Sequence, residues 1–486
     1  MATALDLPTL PTDAYIDGEF RPGSGGTHPD VNPATEEHLA DVAIADAEDV
    51  DRAVRAGRRV LDSDWGATPG TVRAALMLRL ADLVDRDAEL LARLEALDVG
   101  KPVSQPAMLD VPNASATLRY FAGWADKITG DAIPTAGHFG QATHSYTVRE
   151  PIGVIAAIVP WNTPLMLAVW KIAPAIAAGN VIVVKPPEVA PLSILHLARL
   201  VDEAGFPGGV INVVPGTGDI TGEALVRNPG VDKISFTGST AVGRRIGQIG
   251  AETFKRVTLE LGGKSPQIIF PDADLNAAIA GTAMGLFFNQ GEVCAAGTRI
   301  LVHRSVYDDV VDGLAAAANG QVVGDPFDPA TTIGALVSAK QRDSVTSYIE
   351  KGVASGARMV AGGPHDGRGY YVKPTIFADA TNDMEIAQKE IFGPVGTVIA
   401  FDDPEEAVRI ANATEYGLAA SIWTRDVSQA HLLARRVRAG SVWVNTWGAL
   451  NPALPWGGIK NSGLGRELGW SGILANTEEK VVTIAL

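Results

Sequence analysis

Residues 151–188 read PIGVIAAIVPWNTPLMLAVWKIAPAIAAGNVIVVKPPE, and their pattern decides the fold. IGVIAAIV is a β-branched run ending at Pro160, VWKIAPAIAAG is spaced like a helix, and VIVVKP is a second short apolar run. Pro151 to Trp170 is uncharged and long enough to span a bilayer. Pro160, Asn162 and Pro164 interrupt its centre, so a buried strand, a turn and a buried helix are the expected elements. The alternation continues through SILHLARLVDEAG, INVVPG, an amphipathic stretch and KISFTG, as far as Phe270. Strands alternating with helices at this spacing predict a parallel, doubly wound sheet covered on both faces. Ligands of such sheets gather beyond the carboxyl ends of the strands, here PWN, KPPE, PGTG and FTGST.

Working outward, a second α/β stretch begins near Leu261 and contains Cys294, RILVHRS, TVIAF, SIWT and SVWVN, so two α/β lobes flanking a cleft are expected. Near the start, DAYIDGEFRPG reads as a hairpin turning at Asp17-Gly18. In ADAEDVDRAVRAGRRVLDS, Val50, Ala53, Val54, Val60 and Leu61 share one helical face. Thr71 is the expected N-cap of a long helical stretch with a break near Asp87 and a stop at Gly100 and Pro102.

The 486 residues suffice for two large or three ordinary domains, and 46% apolar with 20% charged residues is a globular mixture. A net charge of −16 argues against nucleic acid, whose phosphates need a basic surface. One cysteine excludes intramolecular disulfides and cysteine-cluster metal sites, and no metal site is expected. MATALDLPTLPTDAY lacks the basic and apolar regions of an export signal, so a reducing, cytoplasmic setting without membrane attachment is expected.

GTGDITG (216–222) follows a strand, but its third glycine is one residue late for a dinucleotide fingerprint. In FTGSTAVG, Gly238, Ser239 and Thr240 fall at a helix N-terminus, whose unpaired N–H groups suit a pyrophosphate; a bare strand-to-helix turn has the same pattern. Lys185 and Glu188 stand where ribose hydroxyls would be gripped, although each alone also reads as surface charge. Cys294 lies in FFNQGEVCAAGTRI among small residues that leave room for a substrate and expose backbone N–H groups. Most lone cysteines are inert buried hydrophobes, so the residues elsewhere matter. Glu260 leaves an apolar strand into Gly262-Gly263, where burial would tune it toward base duty, and the Asn162 amide is a candidate oxyanion donor. A cofactor-independent cysteine hydrolase or acyltransferase would instead need a histidine; His303 is the nearest in sequence and reads as a packing residue of a strand.

Taken together, PWNTP, VWK, KPPE, FTGST, LELGGKSP, FFNQGEVCAAGTR, EIFGPV, VWVN and PWGGIKNSGLGRELG resemble, in order and spacing, the NAD(P)-dependent aldehyde dehydrogenase superfamily, in its hydrolytic, non-CoA-acylating form. The likeness covers nearly the whole chain. It implies a Rossmann-like cofactor domain (1–128 and 150–261), a second α/β catalytic domain (262–470) and a small β oligomerisation arm (129–149 and 471–486). Exposed arm edges ask for a partner, so a homodimer or homotetramer is expected. The resemblance further implies that Cys294 attacks an aldehyde to give a thiohemiacetal, whose oxyanion is held by Asn162 and the Cys294 N–H. Hydride passes to NAD, and Glu260 activates water against the resulting thioester.

Lys185, Glu188, Gly238 and Ser239 match cofactor positions, with NAD favoured over NADP because Glu188 would repel a 2′-phosphate. Glu390 matches a nicotinamide-ribose ligand, with Phe392 beside it. Lys171 and Glu467 match a proton relay behind the base, for which a helix-end ion pair is the equal alternative. Thr163, Leu167, Trp170, Phe288, Trp447, Leu450 and Trp456 match a substrate tunnel. Their apolar and aromatic character favours a medium-sized apolar or aromatic aldehyde, since no Arg or Lys is there to pair a carboxylate. The alternative is an amino-aldehyde or betaine aldehyde, because Trp170, Phe288 and Trp456 match an aromatic cage for a cation, with Thr163 in its fourth place. Val293 and Ala295 stand where many members carry further cysteines, and Glu292 where many carry Gln. A catalytically silent relative would be expected to lack the Cys or the Glu; both are present.

Overall fold

The computed structural model describes residues 12–365 and 367–486; of the opening segment searched for an export signal, residues 1–11 lie outside them. The larger sheet contains five parallel strands, Val154–Ile158, Val181–Lys185, Ile211–Val213, Lys233–Thr237 and Arg256–Glu260, in the order fifth, fourth, first, second, third. Antiparallel edge strands flank them: the Asp17-Gly18 hairpin beside the third and Gly463–Leu464 beside the fifth. The order reverses at Val154–Ile158, so the loops leaving that strand and Lys233–Thr237 diverge and open a crevice. Every residue of VIVVK is buried, as expected for a strand covered on both faces.

The uncharged stretch folds as strand Val154–Ile158 and helix Pro164–Ala177, all 14 of whose residues are buried. Among the described residues no helix is long and apolar enough to cross a membrane. The second sheet orders Arg358–Pro364, Val372–Ala378, Val395–Phe401, Arg299–His303, Pro266–Ile269, Ala419–Trp423 and Ser441–Val444, antiparallel only at its first pair. A third sheet pairs Thr143–Pro151 antiparallel with Thr477–Ala485 and with Ala132–Ile133, leaving Ile133, Val481 and Ile484 exposed.

Local signals explain most element ends. Asp17 and Gly18 both take positive φ (60° and 81°), the backbone of a two-residue hairpin turn. Asp46 caps helix Ala47–Val60 by accepting from Glu48 and Asp49 N–H, and Val50, Ala53 and Val54 are buried. Helices Gly70–Arg86 and Ala88–Val99 meet at the expected break, Asp87, and the second ends on Gly100 with φ 90°. The expected Thr71 cap is displaced: the helix begins at Gly70 behind Pro69, whose fixed φ already suits entry to a helix. GTGDITG forms a single tight turn before the short helix Glu223–Arg227.

Candidate active site

A cleft of about 670 Å³ lies against the carboxyl ends of the first sheet's strands. Into it come Asn162 and Leu167 after the first strand, Lys185 and Glu188 after the second, and Gly238 and Ser239 after the fourth. Glu260 closes the fifth strand, and Cys294, Glu390 and Phe392 enter from the second lobe. Ten of the residues singled out in the sequence thus border one space.

Cys294 is a partly exposed free thiol. Desolvation pushes it up to about 12, with the Glu390 and Glu260 carboxylates adding to the shift and the N–H groups of Ala295 and Cys294 opposing it. Gly263 packs so close to the Cys294 carbonyl that a Cβ there would come within 2.3 Å of it. Glu260 is buried, and neither of its carboxylate oxygens has a hydrogen-bond partner among the described residues. Burial, then the nearby Glu467, raises its proton affinity well above the carboxylate norm, while Lys171 and Arg466 pull the other way. A buried carboxylate whose oxygens are unengaged has the capacity to accept a proton.

Asn162 is buried, and its side-chain amide donates to the Glu292 carbonyl at 2.9 Å. Behind Glu260, Lys171 Nζ donates to Glu467 Oε1 (2.5 Å) and Thr237 Oγ1 (2.8 Å), and Ser235 Oγ donates to the same Glu467 oxygen (3.1 Å). The pair lies in the core; neither member lines the cleft.

The nucleotide-type positions show how a cofactor would be received. Lys185 is buried with one acceptor, the Pro186 carbonyl at 2.8 Å, and burial lowers its pKa to about 8 while Glu188 raises it. Its remaining N–H donors and the exposed Glu188 carboxylate form a donor–acceptor pair suited to vicinal hydroxyls. Ser239 caps helix Thr240–Glu252 through Val242 N–H, which leaves that helix's other first-turn donors at the cleft. Gly218 opposite is unobstructed, with no atom within 4 Å of where a Cβ would stand. Glu390 accepts from Gly263 N–H at 2.9 Å and is pushed by burial to about 7. These donors and acceptors fit an adenine dinucleotide.

The seven tunnel positions are split. Leu167 lines the cleft, whereas Thr163, Trp170, Phe288, Trp447, Leu450 and Trp456 lie outside its lining. The aromatic members, joined by Trp443, form a chain that reaches the Cys294 loop: Trp170 to Trp456 (6.1 Å between rings), Trp456 to Trp443 (6.2 Å), Trp443 to Trp447 (6.2 Å) and Trp447 to Phe288 (6.4 Å). Trp447 Nε1 donates to the Ala295 carbonyl at 3.1 Å, beside the thiol. His303 stays at the end of its strand, bonded to Ser305 and edge-on to Phe401, and does not border the cleft.

Sequence reasoning missed several residues of this region. Asn113 fixes the Trp170 indole N–H at 2.7 Å, and Gln341 holds the Ile391 and Phe392 carbonyls at 3.2 and 2.7 Å. Lys101 donates to the Asn162 carbonyl at 3.0 Å. For Lys101 the available signal was its place between a helix-ending glycine and a proline; for Asn113 and Gln341 the sequence carried none.

The profile of the "Aldehyde dehydrogenase family" matches residues 20–482. The chain is similar to retinal dehydrogenase 2 of Gallus gallus, with 45% identity over 487 residues, 99% of this chain and 93% of the relative. It superposes on the NAD+ complex of an aldehyde dehydrogenase from Bacillus cereus with a TM-score of 0.96 and 46% identity, covering 98% of this chain and 96% of that one. It also superposes on an indole-3-acetaldehyde dehydrogenase of P. syringae in complex with NAD+ and IAA, with a TM-score of 0.96 and 44% identity over 99% and 97% of the two chains. With a matching profile over almost its full length and relatives this similar, the chain belongs to the aldehyde dehydrogenase family.

Proposed function

We propose that the protein oxidises an aldehyde to a carboxylic acid with NAD, using Cys294 as nucleophile. The observation that carries this reading is the meeting of a partly exposed thiol and an unengaged buried carboxylate, Cys294 and Glu260, in a cleft that also presents Lys185, Glu188 and Ser239. Cys294 loses its proton to solvent in the cleft, and the thiolate sulfur bonds to the aldehyde carbon. The carbonyl oxygen becomes an oxyanion that accepts from the Asn162 amide and the Cys294 N–H. The dinucleotide, when bound, supplies the hydride acceptor. On the resulting thioester, Glu260 takes a proton from water as the new C–O bond forms, and the C–S bond breaks to return the thiolate. Lys171 and Glu467 carry the proton onward from Glu260.

Glu188 favours NAD because its carboxylate would face a 2′-phosphate. The division into a cofactor domain (1–128 and 150–261), a catalytic domain (262–470) and an arm (129–149 and 471–486) belongs to this reading. So do a homo-oligomer joined through the exposed Ile133, Val481 and Ile484 and a reducing, cytoplasmic setting for the lone thiol.

For the substrate we favour a medium-sized apolar or aromatic aldehyde. The chain of five aromatic rings reaching the Cys294 loop supports it, as does similarity to proteins named for retinal and for indole-3-acetaldehyde. The test is NADH formation with phenylacetaldehyde and with betaine aldehyde, using NAD+ and NADP+, for the native protein and Cys294→Ala. The reading requires NADH from the aromatic aldehyde and none from the variant; preferred turnover of betaine aldehyde would transfer the assignment to cationic aldehydes.

A further inference from the structure

Beneath the oxyanion position lies a buried ionic group that the chemistry above does not use. Lys101 is 1% exposed; its ammonium donates to the Asp110 carboxylate and to the Asn162 backbone carbonyl (3.0 Å) and is ion-paired with Glu95 Oε2 at 2.9 Å. Two of its three N–H donors are thus hydrogen-bonded, and the charge is shared between two buried carboxylates. The Asn162 carbonyl takes a second bond from Asn289 Nδ2 (3.0 Å). The same Asn289 amide reaches the Glu292 carbonyl (3.2 Å), which also accepts the Asn162 side chain (2.9 Å). Lys101, Asn162, Glu292 and Asn289 are thereby linked in one chain of bonds that ends two residues before the thiol.

Two further features give this linkage its direction. Asn289 and Gln290 sit at φ 50° and 53°, a left-handed backbone that persists only where its surroundings over-determine it. Asn289 N–H is pinned by Gln105 Oε1 (2.8 Å), four residues beyond Lys101. On the other side, Glu95 Oε1 accepts from Leu165 N–H (2.7 Å) in the first turn of the helix that follows Asn162. Gly100, at φ 90° and with the Ala335 carbonyl 2.7 Å from where a Cβ would stand, lets the chain turn Lys101 inward.

We propose that Lys101 is a positioning residue of the reaction, holding the Asn162 amide in register with the Cys294 loop through the Asn162 carbonyl. It rests on the reading of Asn162 as the oxyanion donor. Two buried carboxylates beside a single cation explain why the residue is charged: only a cation can bond that carbonyl while offsetting them.

The test is a double-mutant cycle on the full-length protein, reading the pre-steady-state NADH burst at saturating NAD+ and phenylacetaldehyde. Lys101→Met combined with Asp110→Asn removes the contact and keeps the net charge of the group. The burst should slow by about tenfold or more, as expected for a misplaced catalytic group, while the NAD+ dissociation constant from calorimetry stays within about twofold. On an Asn162→Ala background the same pair should change the burst by less than about twofold, because the residue through which it acts is gone. An unchanged burst in the folded pair, or an undiminished loss on the Asn162→Ala background, overturns the proposal. If the pair does not fold, Lys101→Arg enters the same cycle and is read the same way, since a planar guanidinium keeps the charge but cannot reproduce the geometry of a compact ammonium in this buried space. A normal burst in Asn162→Ala alone would bring down the oxyanion reading and this proposal with it; loss there with no effect at Lys101 defeats only the proposal.

Discussion

Lys171 and Glu467 are 296 residues apart in the chain and meet at 2.5 Å in the core, directly behind Glu260. Lys171→Met leaves the Glu467 carboxylate buried and uncompensated, which should lower unfolding stability by ~3–5 kcal/mol in denaturant titrations. The same cation also pulls Glu260's proton affinity down. Its loss should therefore move the acidic limb of the kcat–pH profile to higher pH, because Glu260 acts as a base only when deprotonated. A destabilised variant with an unmoved limb would reduce the pair to a structural tie.

Replacing Glu260 with Gln should spare the first turnover and abolish the later ones. With the base gone the thioester accumulates, and steady-state turnover should fall by about 10²–10⁴-fold while the NADH burst persists. Rapid-quench burst amplitudes measure this, and steady turnover at the native rate contradicts the assignment.

Burial and two carboxylates hold the Cys294 thiol near 12. Below that value the thiolate fraction rises about tenfold for each pH unit, so iodoacetamide should inactivate the free enzyme faster with rising pH and without a plateau near neutrality. One equivalent should abolish activity, since the chain has one cysteine. A pH-independent rate between neutrality and mild alkali would mean a thiolate already formed.

Gly262 stands where a Cβ would come within 2.2 Å of Glu390 Oε2. Gly262→Ala should displace that carboxylate at a cost of ~1–3 kcal/mol, raising KM for NAD+ by about tenfold. Initial-rate kinetics against NAD+ and aldehyde separately would show the effect confined to the cofactor.

Glu188 is exposed at the end of strand Val181–Lys185. Glu188→Ser removes a carboxylate that would oppose a 2′-phosphate and should raise kcat/KM for NADP+ by about tenfold. Competition between the two dinucleotides reads the change directly.

Much of this was legible from residues 151–188, because strands covered on both faces must be β-branched throughout and prolines must fall outside them. Cys294, Glu260 and Asn162 could be found because each lies beside glycine, proline or small residues that mark a strand end or an open loop. Thr71 misled because Pro69 opens the helix without a side-chain cap. Lys101 gave no signal of burial because a charge after a helix-ending glycine ordinarily faces solvent, and the carbonyl that turns it inward, that of Asn162, lies 61 residues away in the chain. The tunnel aromatics were identified one by one, yet their continuity depends on Trp443, whose strand position alone gives no hint of its neighbours.

That continuity has an optical consequence. Trp170, Trp456, Trp443 and Trp447 are four of the nine tryptophans, and each neighbouring pair is separated by 6.1 to 6.2 Å. At such spacings excitation migrates between indoles before it is emitted, so the four behave as a single chromophore. Its last member, Trp447, is hydrogen-bonded to Ala295, the residue after Cys294. On the proposed mechanism, each acylation and hydrolysis at Cys294 should therefore be visible as a change in light from the protein itself.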